Sequence, residues 1–238
     1  MSISPVQCRL PDDLPSIPSE LFRRLRHLPG VFWLDSGRDP SDHGRYHYLG
    51  ANPVEVLSDS GTSSWRHLET AAAQKAAAAT HVPAARWVGY FAYDLGTPLE
   101  NVPSPAAVNE APELYLARYS ASITFDMVTG EATVTGDDNT SIEQLISCLR
   151  ADTSKDIVKT APVAMPTHMW TYERFEAAVS RAKEYIAAGD VYQVNLSHRF
   201  EAELGDVSAM IASEIYIRLR RKHVAPYGAF LQLIDTEQ

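Results

Sequence analysis

The strongest periodic pattern in the chain changes its step at a single glycine. Between Trp170 and Ala188, the residues Phe175, Val179, Ala182 and Ile186 fall at i, i+4, i+7 and i+11 and share one helical face. Thr171 is placed to cap the first turn, its hydroxyl accepting from a free backbone amide. Gly189 stands where a left-handed residue ends a helix without a Cβ clash. After Asp190 the step becomes two. Tyr192, Val194, Leu196, Phe200, Ala202 and Leu204 point one way, interrupted by His198, while Gln193, Asn195, Ser197, Arg199 and Glu201 point the other. The pattern predicts a strand over residues 192–204 with one polar, hydrogen-bonding face, which suits either a solvated edge or a ligand-binding surface.

Upstream, residues 1–17 are rich in proline and acid and read as an extended lead-in. Leu21, Leu25 and Leu28 predict a short helix over residues 18–28, ended by Pro29-Gly30. Strands are predicted at Val31–Asp35, Arg45–Leu49 and Val54–Ser58, the last two joined by the turn Gly50-Ala51-Asn52-Pro53. An alanine-rich helix is expected over Ser64–Thr80, and a strand with an internal glycine at Arg86–Tyr93. Gly89 inside that strand signals a bulge or a close backbone approach. Leu114–Phe125 and Glu131–Thr135 predict a hairpin around Asp126–Gly130, followed by a helix near Ile142–Leu149. A helix over Ser208–Arg221 and a strand at Ala229–Ile234 complete the pass. The expected organisation is a lead-in (1–17), an N-terminal region (18–151), a polar proline-bearing linker (152–167) and a following region (168–238). Helices alternating with hairpin-linked strands indicate an α+β fold of mainly antiparallel sheets flanked by helices.

Composition narrows the partners. Hydrophobic residues make up 45% of the 238, enough for a packed core. The formal charge of −9 argues against nucleic acid or an anionic membrane surface as the main partner, since both call for a basic face. The basic run Arg218–Lys222 falls at the end of a predicted helix, where cations suit the backbone dipole. Cys8 and Cys148 have no paired spacing, and no apolar run is long enough to span a bilayer, so a cytoplasmic setting is expected. Familiar chemistry is sparse. The sequence contains no GxGxxG, GxxxxGK[ST] or GxSxG element. Among eight histidines, His43 and His47 form a close pair, but it spans a loop and a strand rather than one helical face.

One run of residues carries more. Ala187-Ala188-Gly189-Asp190-Val191-Tyr192-Gln193-Val194-Asn195-Leu196-Ser197, followed by Arg199-Phe200, resembles the signature of the chorismate-utilising enzymes. Gly89-Tyr90-Phe91-Ala92-Tyr93-Asp94-Leu95-Gly96 resembles that family's glycine-rich strand. Gly44-Arg45-Tyr46 with Gly50-Ala51-Asn52-Pro53 resembles its N-terminal sheet, and Ala225-Pro226-Tyr227-Gly228-Ala229-Phe230 the segment preceding its catalytic half. Within the family, His27-Leu28-Pro29-Gly30 and Leu34-Asp35-Ser36-Gly37 are similar to aminodeoxychorismate synthase component I of p-aminobenzoate and folate biosynthesis. Anthranilate synthase component I, usually with a Leu-Leu-Glu-Ser element there, is the alternative, as is a non-catalytic module that docks a glutaminase subunit.

The resemblance implies amination of chorismate at C4 with Mg2+ as Lewis acid and ammonia from a glutamine amidotransferase subunit. It also implies a nucleophilic lysine, a Ser-Pro-Glu element and magnesium-binding glutamates beyond the last strand here. The expectation is therefore a truncated N-terminal part of the anthranilate synthase component I-like fold, with no catalytic or metal residue of its own, inactive alone. Gly189, Asp190, Gln193, Asn195, Ser197 and Arg199 are expected to act as scaffold. A tryptophan-type ligand pocket is implied between Ser36, His43, Gly44, Arg45 and Tyr46 on one wall and Pro226, Tyr227 and Gly228 on the other. His43 and Gly44 depart from the family pattern there. The alternative for this loop is a turn-rich segment whose serine and arginine satisfy backbone groups.

Overall fold

The alternating positions sort the strands into antiparallel sheets whose buried faces meet the helices. A computed structural model describes residues 5–36, 44–60, 64–73, 82–97, 111–151, 165–203, 209–223 and 225–235. Two compact units are present: residues 1–158 with 209–238, and residues 159–208. The α+β class with antiparallel sheets is as expected from the sequence.

The first unit contains a six-stranded antiparallel sheet. In chain order its strands are β1 (Val6–Arg9), β2 (Phe32–Asp35), β3 (Tyr46–Gly50), β7 (Ala121–Asp126), β8 (Glu131–Gly136) and β11 (Gly228–Leu231). In space they run β1-β8-β7-β3-β2-β11. A second antiparallel sheet orders β4 (Glu55–Asp59), β6 (Leu114–Arg118) and β5 (Trp87–Phe91) as β4-β6-β5. Helices α1 (Pro18–Leu25), α3 (Asn139–Arg150) and α5 (Ala209–Lys222) belong to this unit, as does α2 (Ser64–Ala73). Leu21, Phe22 and Leu25 of α1 and Ile142, Leu145 and Leu149 of α3 join Trp33, Leu49, Ile123, Phe125 and Val134 of the sheet in one buried cluster. Burying such side chains contributes roughly 1.5–3 kcal/mol each, which makes this cluster the main source of stability.

Local chemistry explains several boundaries. Asp138 caps α3 by accepting from the Ser141 amide at 2.7 Å, and Arg24 donates to the Leu149 carbonyl at the other end at 2.9 Å. The β7–β8 hairpin turns where Asp126 accepts from the Val128 amide and Gly130 takes φ +74°. Gly89 is a close approach: an added Cβ would lie 1.8 Å from the Tyr115 carbonyl oxygen on the neighbouring strand.

Several expectations need correction. The lead-in supplies β1, whose Cys8 pairs with Val134, because its amides find an open edge on β8. Leu114–Phe125 is two strands rather than one. The chain breaks at Tyr119-Ser120 to leave one sheet for the other, and the Tyr119 hydroxyl holds that corner by donating to the Gly30 carbonyl at 2.6 Å. Residues 209–235, grouped by sequence with 168–208, fold with the N-terminal sheet because β11 pairs along β2, Gly228 opposite Asp35 and Phe230 opposite Trp33.

The second unit contains α4 (Tyr172–Ala188) and a two-residue ladder between β9 (Thr167–His168) and β10 (Phe200–Glu201). Its caps follow the expectation. The Thr171 hydroxyl accepts from the Arg174 amide at 3.3 Å, and Gly189 adopts φ +83°. The amides of Gly189 and Asp190 donate back to Ile186 and Tyr185, closing the last turn. The strand expected over 192–204 does not form as such over its described residues 192–203: ladder pairing is confined to Phe200–Glu201, extended by one hydrogen bond from the Met169 amide to the Arg199 carbonyl, and among the described residues 191–198 meet no neighbouring strand. A strand needs a ladder partner, and alternation alone cannot supply one.

Helix α5 is held to the sheet by a buried carboxylate. Asp35, at the end of β2, is 3% exposed and accepts a short hydrogen bond from Arg220 Nε of α5. Arg220 also lies over the Trp33 ring, 4.7 Å from its centroid. The Tyr216 hydroxyl reaches to 3.5 Å from Asp35, and His47 Nδ1 of β3 stands 3.1 Å away without hydrogen-bond geometry. Above them Phe22, Trp33, Tyr216 and Phe230 form an aromatic layer with centroid separations of 5.1 to 6.5 Å.

Two substitutions test this architecture. Gly89→Ala forces β5 away from β6 and should lower stability by about 1–3 kcal/mol, read from the urea midpoint. Asp35→Asn leaves the Arg220 guanidinium without its counter-charge and should cost about 3–5 kcal/mol, with faster amide exchange in α5. An unchanged midpoint in either variant would contradict the contact assigned to it.

Candidate functional site

Those implied pocket residues that are described gather at one end of three neighbouring strands. Strands β3, β2 and β11 lie side by side, so Ser36 follows β2 beside Tyr46, and Gly228 faces Asp35 from the other side. This juxtaposition depends on pairing between residues almost two hundred positions apart. Ser36 donates its hydroxyl to the Tyr46 carbonyl at 2.6 Å. Gly44 is buried, and Tyr46 is half-buried with the Arg45 guanidinium 4.9 Å from its ring centroid. Pro226 and Tyr227 are exposed, Tyr227 at 76%. His43 lies outside the described residues.

Arg45 is engaged elsewhere. It makes a two-pronged contact with Asp126 on β7, the shortest arm 2.8 Å. That guanidinium, together with the Val128 and Thr129 amides, holds the Asp126 carboxyl below its ordinary range. Ser36 thus satisfies a backbone carbonyl, the structural role open to this loop, whereas Arg45 is engaged by a side-chain carboxylate; both stay beside the strand end. Gly228 has a clearer reason to be glycine. A Cβ there would come within 3.1 Å of the Tyr216 hydroxyl, so the absent side chain lets that phenol reach Asp35. Burial pushes the Tyr216 hydroxyl well above its ordinary value, with the Asp35 charge adding to the effect, so it remains a neutral donor there.

The polar centre of this strand end escaped the sequence reading. Asp35 was visible as an acid closing the apolar run Val31-Phe32-Trp33-Leu34, and His47 as part of a histidine pair with unsuitable spacing. Tyr216 and Arg220 sit at i and i+4, one helical face, and Arg220 belonged to a basic run that suited a helix end. What no pattern showed was that all four meet. His47 is fully buried, and neither ring nitrogen makes a hydrogen bond.

The signature residues lie in the second unit. Gly189 and Asp190 close α4, Gln193 donates to Asn195 at 3.3 Å, and Arg199 pairs with Glu201 at 2.9 Å. Gln193, Asn195, Ser197 and Arg199 are all exposed. Among the described residues no group of three or more His, Cys, Asp or Glu converges. No described helix is long and apolar enough to cross a membrane.

The model of the chorismate binding enzyme family matches residues 30–237. The chain is 29% identical to anthranilate synthase alpha subunit 2, chloroplastic, of Arabidopsis thaliana, over 95% of this chain and 42% of that protein. It is 27% identical to aminodeoxychorismate synthase component 1 of Klebsiella aerogenes, over 97% of this chain and 54% of that one. With the enzyme of the same name from Bacillus subtilis it shares 30% identity over 63% of its length, 34% of the relative's. The chain spans about half the length of the curated relatives it matches along its whole length. With the family model covering most of its residues, the chain belongs to the chorismate-binding enzymes.

Proposed function

We propose that the chain forms the N-terminal part of an aminodeoxychorismate synthase component I. In such an enzyme ammonia from a glutamine amidotransferase subunit replaces the C4 hydroxyl of chorismate. The observation that carries this reading is the pair of elements around β2. His27-Leu28-Pro29-Gly30 leads into the strand and Leu34-Asp35-Ser36 ends it, both similar to that subfamily. Two of the relatives above carry the same name. The similarity to the Arabidopsis protein supports anthranilate synthase component I as the second reading.

The present residues supply scaffold rather than chemistry. Asp35, Tyr216 and Arg220 hold β11 and α5 against β2 and so position the segment that leads towards the rest of the fold. The nucleophilic lysine and the magnesium ligands are proposed to lie in the part of the enzyme that the relatives have beyond these residues. Magnesium then serves as Lewis acid in the assembled protein.

The product distinguishes the two readings. With chorismate, ammonium and Mg2+, the chain alone should turn over no substrate. A protein joining it to the second half of the Klebsiella aerogenes enzyme should form aminodeoxychorismate, identified by mass. Anthranilate as the product would select the second reading, and turnover by the chain alone would refute the assignment of chemistry to the other half.

The strand end between Ser36, Gly44-Arg45-Tyr46 and Pro226-Tyr227-Gly228 is proposed to take an amino acid of the tryptophan type, as the resemblance implies. Titration calorimetry of the joined protein with tryptophan should show saturable heat and a raised Tm. Ser36→Ala should weaken it by about tenfold, the effect of losing one good hydrogen bond. Absence of both heat and thermal shift in the unsubstituted protein would rule the pocket out.

A further inference from the structure

The strand end beside Ser36 carries a pair of opposite charges rather than a single one. Arg45 and Asp126 meet along one edge of the guanidinium, where Nε and Nη2 donate to the carboxylate and the shortest arm is 2.8 Å. A guanidinium has a second edge, and among the described residues Nη1 makes no hydrogen bond. The Arg45 side chain is 49% exposed and so within reach of a solute. On the carboxylate, Oδ1 also accepts from the Val128 and Thr129 amides that shape the hairpin turn, whereas Oδ2 accepts from Arg45 alone. The guanidinium, aided by those amides, keeps this carboxyl ionised throughout the neutral range.

Sheet register places this pair at the end of a row. Asp126 of β7 stands opposite Tyr46 of β3. Continuing the β2–β3 register brings Ser36 opposite Tyr46, whose carbonyl its hydroxyl meets, and continuing the β2–β11 register brings Tyr227 opposite Ser36. Residues opposite one another in a ladder share a face, so Asp126, Tyr46, Ser36 and Tyr227 form one row across the sheet end. It runs from a carboxylate, through a phenol and a hydroxyl, to a second phenol, with the Arg45 guanidinium 4.9 Å from the Tyr46 ring centroid. One end of the row is charged and the other aromatic. A solitary arginine favours any carboxylate. An arginine already countered by an aspartate favours a carboxylate that brings its own cation, because that solute meets both charges at once. An α-amino acid, with ammonium and carboxylate on one carbon, is such a solute.

We propose that Asp126, on a strand that contributes nothing to the implied pocket, is the residue that binds the ammonium of an amino acid at this strand end. Arg45 takes the carboxylate of the same molecule on its second edge, and Tyr46 and Tyr227 flank its aromatic side chain. The inference rests on the reading that the strand end takes an amino acid of the tryptophan type. It adds a selection rule to that reading: the zwitterion binds, and analogues lacking either charge are rejected.

Calorimetry compares tryptophan with indole-3-propionate, which lacks the ammonium, and with tryptamine, which lacks the carboxylate. The purified chain and the joined protein are both titrated, and the comparison is made in whichever binds tryptophan. Tryptophan should bind roughly tenfold or more tightly than either analogue. Asp126→Asn keeps an oxygen for the Val128 and Thr129 amides and removes the charge. It should weaken tryptophan by roughly tenfold while indole-3-propionate binds as well or better, since Arg45 then lacks its counter-charge. Asp126→Glu, which restores the charge, should recover the preference for tryptophan. A carboxylate that acts only by shaping the turn would weaken both ligands alike, and a thermal melt checks that each variant is folded. If tryptophan binds and Asp126→Asn leaves its preference over indole-3-propionate unchanged, the role of Asp126 is overturned while the pocket stands. If tryptophan binds to neither protein, the pocket fails and the role of Asp126 with it.

Discussion

The carboxylate of Asp35 is the contact on which the first unit depends. It ends the apolar strand β2, lies almost out of reach of water, and is met by Arg220 and Tyr216 from a helix more than 180 residues later. A buried charge is costly unless it is paired, so once β2 is buried the carboxylate requires that helix. The helix in turn delivers β11 to the free side of β2, and Gly228 is small enough to let the Tyr216 phenol lie between them. Trp33 and Tyr216, which stand next to the charge and the Arg220 that meets it, also join Phe22 and Phe230 in an aromatic cluster. One acidic residue in an apolar strand therefore couples the two ends of the sequence.

That coupling places the family's landmarks in different settings. The residues implied for a ligand pocket gather at the strand end beside Asp35, because β3, β2 and β11 are neighbours. There Ser36 and Arg45 are held by Tyr46 and Asp126, which gives the loop a definite shape. The long signature run, by contrast, sits in a unit with no interior of its own. Its helix is defined by Thr171 and Gly189, and its apolar positions face outward.

Much of this was legible in the sequence wherever the cause is local. Thr171 caps a helix through a hydrogen bond to the amide three residues on, and Gly189 ends it because only its neighbours decide that φ is positive. Gly89 announced a close approach, which proved to be the Tyr115 carbonyl. The alternation after Asp190 was read as a strand over residues 192–204 and was observed as two paired residues. Period two records which side chains are apolar and is silent on whether a ladder partner is present. The continuous run Leu114–Phe125 likewise concealed a change of sheet at Tyr119, whose hydroxyl bonds to a carbonyl eighty-nine positions away.

By itself the sequence determined the helices, the caps of α4, the hairpin turn and membership of the chorismate-binding enzymes, since each depends on residue types at short and regular spacing. Only the tertiary structure decided that Asp35, His47, Tyr216 and Arg220 share one buried centre, that residues 209–235 fold with the N-terminal sheet, and that the signature stretch lies exposed. Those outcomes turn on which surfaces find partners and which charges are taken out of water. Both are properties of the whole packed chain, and neither is carried by any stretch of it alone.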